Sequence, residues 1–357
     1  MILKLKILFI FLFIYTLLLL NKININGNSN IKIEKLNLGE KLVSKKLELA
    51  NSLIKIYADL YDYERSGYKK PKFSQKIVDY SSNKKNYNIC ICSIGKNENL
   101  YIREFVDYYN KMGLDKIFIY DNNDLEGEYF DNILSDYIKN KFVEIIDVRG
   151  LSSIQIPIYN YCYHKNRDFY DWIGFLDFDE YLYIKNNESI KSYFNNKRFK
   201  KCQTIFLNWR IFSDNDLLQY DNRSLLDRFT TPIINHSEGK SFVRGKIYNL
   251  AIPTTHIPGI NLYHFCNSNG KIIKPKDFLH HNFEKKPKAY IKHFFTKTVR
   301  EFCNKLNKGN AHYHKNHTQY RRTIINRVKL FFKINRVTKE KINILENCTK
   351  MKFNFIK

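Results

Sequence analysis

Three clusters of charged and amide side chains each follow a short apolar run: Lys96-Asn97-Glu98, Asp121-Asn122-Asn123 and Asp177-Phe178-Asp179-Glu180. The third is the most telling. An Asp-x-Asp-Glu set at the end of a buried strand gathers negative charge where one carboxylate would already be costly, and a cation offsets it. Hard oxygen ligands select Mn2+ or Mg2+. Such an ion can bridge two phosphates and stabilise the charge that develops on a leaving diphosphate. The plainer alternative makes Asp177 or Asp179 a cap on the next turn, with Glu180 solvated. The other two clusters, at corresponding strand ends, favour the metal site.

The elements that must position these clusters alternate along the chain. Ile89–Ile94 reads as a strand, Asn97 as the N-cap of a helix carrying Tyr101, Phe105, Tyr108 and Met112, and Gly113 as its stop. Lys116–Tyr120 is a second strand, Phe130–Tyr137 a helix, Phe142–Val148 a third strand, Ile154–His164 a helix and Trp172–Leu176 a fourth strand. Wholly apolar strands alternating with helices predict an α/β domain, a mainly parallel sheet with helices on both faces. In such sheets ligands bind beyond the carboxyl ends of the strands, where all three clusters fall.

Composition bounds the reading. The chain has 357 residues, 44% hydrophobic and 15% aromatic, enough for a full core. Its net charge of +25 is unevenly spread. Residues 88–194 hold 11 Lys/Arg against 18 Asp/Glu, and the remainder 49 against 17. The basic excess therefore lies outside the segment that carries the motifs. Basic stretches such as Arg321-Arg322 and 339–341 lack interleaved aromatic platforms, so no nucleic-acid partner is expected. Seven cysteines cannot all pair; Cys90 and Cys92 read as small buried apolar residues, with one or two disulfides elsewhere if the domain is lumenal.

Residues 7–20 are free of charge and almost wholly aliphatic or aromatic, with Lys4 and Lys6 ahead and no small-x-small cleavage site behind. An uncleaved signal-anchor is expected over residues 1–21, a single-pass attachment to the membrane with the rest across it. A stem and connector follow over 22–87. Within it Leu42, Leu49, Ile56 and Tyr63 recur every seven residues, fitting either one docked amphipathic helix or a short stem that could pair two copies.

The order and spacing of the motifs add a resemblance. Lys96-Asn97-Glu98 with Arg103-Glu104-Phe105, Tyr120-Asp121-Asn122-Asn123, Gln155 with Tyr159-Asn160, and Asp171 through Leu182 resemble glycosyltransferase family 92 (the DUF23 group) and its family-2-like relatives. So do Trp209-Arg210-Ile211-Phe212-Ser213, Lys240-Ser241-Phe242-Val243, His256, and His293 through Thr298 with Glu301-Phe302 and Lys305. The resemblance implies a GT-A fold over 88–310, a nucleotide-sugar donor (a UDP-sugar) and a divalent metal. Position by position it gives Asp177 and Asp179 the metal and diphosphate, and Asp121 the nucleoside base. Lys96, Asn97 and Glu98 would line the nucleotide pocket. His293 becomes a later metal or diphosphate contact, or else a structural histidine of an amphipathic run.

The reaction so implied is one in-line displacement with inversion, a carboxylate taking the proton of a glycan or glycoconjugate hydroxyl. Asp214, Asp216 and Glu238 lie in the acceptor half, and Asp214 is preferred as the base because it follows the Trp209–Ser213 segment directly. An ER/Golgi-type lumenal setting follows if the source is eukaryotic. Residues 311–357 form a basic, mostly helical extension. Two rivals remain: a phosphohydrolase using Asp177 as nucleophile and Asp179 as acid, and a basic membrane-tethered binding protein with a structural cation site.

Overall fold

The computed structural model describes residues 48–49, 51–53, 55–56, 87–151, 153–248, 250–252, 254–256, 264–273, 284–308 and 318–353. The chain divides into two units, Met1–Phe73 and Ser74–Lys357. In the first, the described residues are helical; Leu49 and Leu53, one turn apart, are buried, while Glu48, Asn51 and Lys55 are exposed. This is the one-sided pattern of an amphipathic helix. The expected signal-anchor over 1–21 and the outer heptad positions Leu42 and Tyr63 lie outside the described residues. Among those described, no helix is long and apolar enough to cross a membrane.

The second unit opens with the predicted alternation. Strand β1 (Ile89–Gly95) leads to α1 (Asn99–Lys111), β2 (Lys116–Asp121), α2 (Ser135–Lys139), β3 (Val143–Asp147), α3 (Gln155–Asn166) and β4 (Trp172–Phe175). These strands pair in parallel in the order β3-β2-β1-β4. Side-chain alternation on β1 serves both faces. Ile89 and Ile91 join the core that holds Phe105 and Tyr109 of α1, and Cys92, on the opposite side of the strand, is disulfide-bonded to Cys162 of α3. Cys92 is thus not merely a small apolar residue as its neighbours suggested; Cys90 is buried and unbonded.

Beyond β4 the sheet becomes mixed. The chain continues through β5 (Glu180–Ile184), α4 (Ile190–Asn195), β6 (Thr204–Phe212), α5 (Leu225–Arg228), β7 (Pro232–Arg244), β8 (Phe265–Cys266) and β9 (Ala289–His293). The order runs on as β4-β7-β6-β9-β5, with β8 on β6. Strand β7 is antiparallel to both β4 and β6, and β5 is antiparallel to β9. Antiparallel neighbours need no crossover helix, and the β6–β7 connection holds only the four-residue α5. The sheet is therefore mixed α/β rather than parallel throughout.

Three helices close the unit: α6 (Val299–Asn307), α7 (Thr318–Ile334) and α8 (Lys339–Thr349). A reciprocal capping box, Thr298 with Glu301, starts α6. Phe302 and Leu306 of α6, Val328 and Phe331 of α7, and Leu345 of α8 form one core, cross-linked by Cys303–Cys348. A third disulfide joins Cys202 to Cys266. The basic segment after residue 311 thus packs, in its described part, as an integral layer of the unit.

Local expectations fail at two places. Asn97 is not the cap of α1: its backbone is left-handed (φ 53°), Glu98 holds the cap position, and the Asn97 N–H donates to Asn123 Oδ1 at 2.7 Å. The helix expected over 130–137 starts only at Ser135, after turns in which Phe130 and Leu134 are buried.

Candidate functional site

The three polar clusters meet at the carboxyl ends of β1, β2 and β4. The Asn122 N–H donates to Gly95 O, tying the loop after β2 to the end of β1. Phe178 is the buried wedge between the two aspartates; a Cβ added at Gly95 would lie 2.2 Å from its ring, so the β1 end must be glycine for the Asp-x-Asp turn to seat. The turn closes through Glu180 N–H to Asp177 O and Asp177 N–H to Glu180 Oε2, both 3.0 Å.

Asp177 and Asp179 sit in different surroundings. Asp177 Oδ1 accepts from Gln155 Nε2 and Tyr159 Oη, each at 3.1 Å, and Oδ2 accepts from Lys240 Nζ at 2.9 Å. Its side chain is 36% exposed, whereas that of Lys240 is 0%. The same ammonium stands 3.5 Å from Glu180. Burial alone would lower the Lys240 pKa, but Asp177 and Glu180 outweigh it and hold it well above its usual value. Burial raises Asp177 too, and Lys240 more than reverses this. Glu180, wholly buried, is pushed up to about 8 by burial against the pull of Lys240.

Asp179 Oδ2 accepts from Lys305 Nζ of α6 at 2.7 Å, and His293 Nε2 approaches Oδ1 at 3.8 Å. Burial would raise this carboxyl; Lys305, Lys297 and His293 hold it far below the usual range. Burial carries the His293 imidazole down to about 3, so it is neutral at physiological pH and has a lone pair to give. Its ring packs on Trp209, centroids 4.4 Å apart.

On the nucleotide side, Asp121 is buried and accepts from the Asn123 N–H and Nδ2 at 3.0 and 2.7 Å. Arg149 lies 3.6 Å from its other oxygen, held by the carbonyls of Asp124 and Glu128 under the Tyr129 ring. Burial raises the Asp121 carboxyl, opposed by Asn123 and Arg149. Glu98 meets Lys308 and, at 3.7 Å, Lys297. Lys96 turns aside to Asp124 at 2.6 Å.

Asp214 does not join this group. It is 1% exposed, 2.7 Å from Lys341 Nζ of α8, and its N–H donates to Asn335 Oδ1. A carboxylate sealed under a helix cannot meet an acceptor hydroxyl, so the structure gives Asp214 a packing role in place of the expected general base.

Among the described residues no three carboxylate, imidazole or thiol groups converge as a ready cage for a cation. Asp179 and His293 do fit two ligands of one ion: a carboxylate oxygen and a neutral imidazole nitrogen face each other without a hydrogen bond. Mg2+ and Mn2+ commonly take one or two protein ligands and complete their shell with phosphates and water. Asp177, engaged by three donors, lies beside them.

Sequence reasoning gave no role to Lys240 and Lys297, which it met only inside segments that carry the resemblance, and missed Lys308 and Arg149. A lysine is ordinarily solvated, so only position hinted at them. Lys240 precedes the apolar Phe242-Val243 in strand alternation, and Lys305 and Lys308 share one helix face at i, i+3.

The model of Glycosyltransferase family 92 matches residues 85–329. A family 92 protein of rice (Oryza sativa subsp. japonica) is 25% identical over 117 residues, covering 33% of this chain and 20% of that one. One from Ricinus communis is 29% identical over 100 residues, covering 28% and 18%. The alignments therefore span about a fifth of these relatives' length. Among solved structures, S. aureus TarS 1–349 in complex with UDP is similar over 73% of this chain and 80% of that one, at 12% identity and a TM-score of 0.35. With the family model covering more than half of its length, the chain belongs to glycosyltransferase family 92.

Proposed function

We propose that this chain is a glycosyltransferase of GT-A type that moves a sugar from a nucleotide-sugar donor, a UDP-sugar, to a hydroxyl of a glycan or glycoconjugate. The observation that carries this is the convergence of Asp179 and His293 beside Asp177, at the strand ends that also hold Asp121 and Glu98. Asp121, braced by Arg149, receives the nucleoside. Lys240 pins Asp177, and Glu180 accepts the Asp177 N–H, so the acidic turn holds its shape before the donor arrives. A divalent ion on Asp179 and His293, Mn2+ or Mg2+, would neutralise charge on the departing diphosphate.

In the displacement, the acceptor oxygen attacks the anomeric carbon from the face opposite the leaving group. The carbon–oxygen bond to the diphosphate breaks, its electron pair stays on the diphosphate, and the configuration inverts. With Asp214 sealed away, Glu238 takes the acceptor proton. It is exposed and lies on the bulge where β7 swells opposite Trp209, whose indole packs on His293. A signal-anchor at 1–21 would hold the domain at a membrane, on its lumenal side, and the stem could pair two copies.

A phosphohydrolase needs Asp177 free as a nucleophile, whereas Gln155, Tyr159 and Lys240 all engage it. The deciding experiment incubates the full chain with UDP-sugars and Mn2+ and follows UDP release. Release that Asp179→Asn abolishes supports the reading. Glu238→Gln should spare UDP binding and remove transfer. Phosphate freed from simple phosphomonoesters would sink the proposal in favour of a hydrolase, and binding without turnover would favour the tethered binder.

A further inference from the structure

Lys297 is a buried cation with no acceptor among the described residues. Its side chain is only 7% exposed, yet its ammonium makes no hydrogen bond to any described residue. The nearest anion, Glu98 Oε2, stands 3.7 Å away and itself lacks a hydrogen bond. The ammonium rests 3.5 Å from the centroid of the Tyr101 ring, which gives a charge some relief but offers no lone pair to its three N–H donors. Burying an ammonium that finds no acceptor is costly.

The residue also has a left-handed backbone (φ 51°), unusual for a lysine, in the turn between β9 and the capping box of α6. That turn fixes where the ammonium points. It lies within electrostatic reach of Asp179, Glu98, Lys305 and Lys308 together. Lys305 in the last turn of α6 and Lys308 at its C-cap reach Asp179 and Glu98 respectively. Three lysines from one short segment thus line the space between the Asp-x-Asp turn and the loop after β1, and one of them has unused donors.

We infer that Lys297 is a phosphate-binding residue: its ammonium receives the diphosphate of the nucleotide donor, flanked by Lys305 and Lys308. The inference rests on the donor reading above and adds to it a group on the chain itself that holds the diphosphate without any metal. Two or three charge-assisted contacts from lysine to phosphate oxygens replace the acceptor that no described residue provides.

The test is calorimetry on the full chain with a chelator present, using UDP as probe, and ligand-observed NMR with uridine. Lys297→Met should weaken UDP binding by roughly tenfold or more, the value of one charge-assisted hydrogen bond, and leave uridine binding unchanged. Lys297→Arg, which keeps the charge, should recover most of the loss. Lys297→Gln is measured alongside, and uridine binding identifies whichever neutral variant is folded. Equal UDP affinity in wild type and the folded neutral variant overturns the inference while leaving the donor reading intact. A wild-type chain that binds neither UDP nor uridine overturns both.

Discussion

The chain contains two Asp-x-Asp turns after apolar strands, and they have opposite fates. Asp177-Phe178-Asp179 follows β4, and Asp214-Asn215-Asp216 follows β6. A lysine answers each: Lys240 and Lys305 in the first, Lys341 in the second. The first turn stands at the carboxyl end of β4, an interior strand, with Asp177 partly open and a neutral histidine opposite Asp179. The second lies beneath α8, where Lys341 is 2.7 Å from both Asp214 and Asp216 and the Cys303–Cys348 bond ties that helix to α6. What packs over a pair of carboxylates, rather than their spacing, decides whether they stay open to a ligand or are taken up by the fold.

Substitution at each turn can break or sharpen this contrast. Asp179→Asn should lower donor turnover at least about a hundredfold, the usual scale for losing a group that stabilises transition-state charge, measured as UDP release. Asp214→Asn should leave turnover near wild type; matching losses in the two variants would end the distinction. Asp214→Asn should instead reduce unfolding free energy by about 1–3 kcal/mol in urea, because the buried Lys341 is left with the half-exposed Asp216 alone. The double variant Asp214→Leu with Lys341→Met should be less destabilised than Asp214→Asn alone, since it leaves no buried charge unpaired.

The smallest effect is in acid. Asp179 has a folded pKa below its ordinary 3.8, so its stabilisation is present above that value and fades as pH falls through and below it. The stability gap between wild type and Asp179→Asn should shrink below about pH 4. Asp214 has its pKa raised, by burial outweighing Lys341, so protonation favours the fold. The gap between wild type and Asp214→Asn should therefore widen as pH falls towards 3.8. Parallel pH trends would contradict the assignment of different environments.

Much of the first half of the domain was legible in the sequence. Its strands are continuous apolar runs, as a doubly covered parallel sheet requires, and Asp121 and Asp177 fall at their carboxyl ends as expected. The second half was not, because its interior holds charges. Lys240 reaches Asp177 across 63 residues, Lys305 reaches Asp179 across 126, and Lys308 reaches Glu98 across 210. Each looks like a solvated lysine until its partner is in place. Asp214 misled for the same reason: the residue that closes over it lies on a helix at the far end of the chain. Glu238, the base proposed in its stead, owes its exposure to the β7 bulge, which is visible only in the pairing register with β6.

The three cross-links carry a consequence for anyone who makes this protein. Cys92–Cys162 joins the central strand to a helix, Cys202–Cys266 spans the β6–β8 edge, and Cys303–Cys348 clasps the closing helices. Such bonds persist where the thiol poise is oxidising, so a host cytoplasm or a buffer rich in reductant would yield six thiols instead. Export to a periplasm or secretory lumen, and purification without dithiols, are the conditions under which the described fold should be recovered.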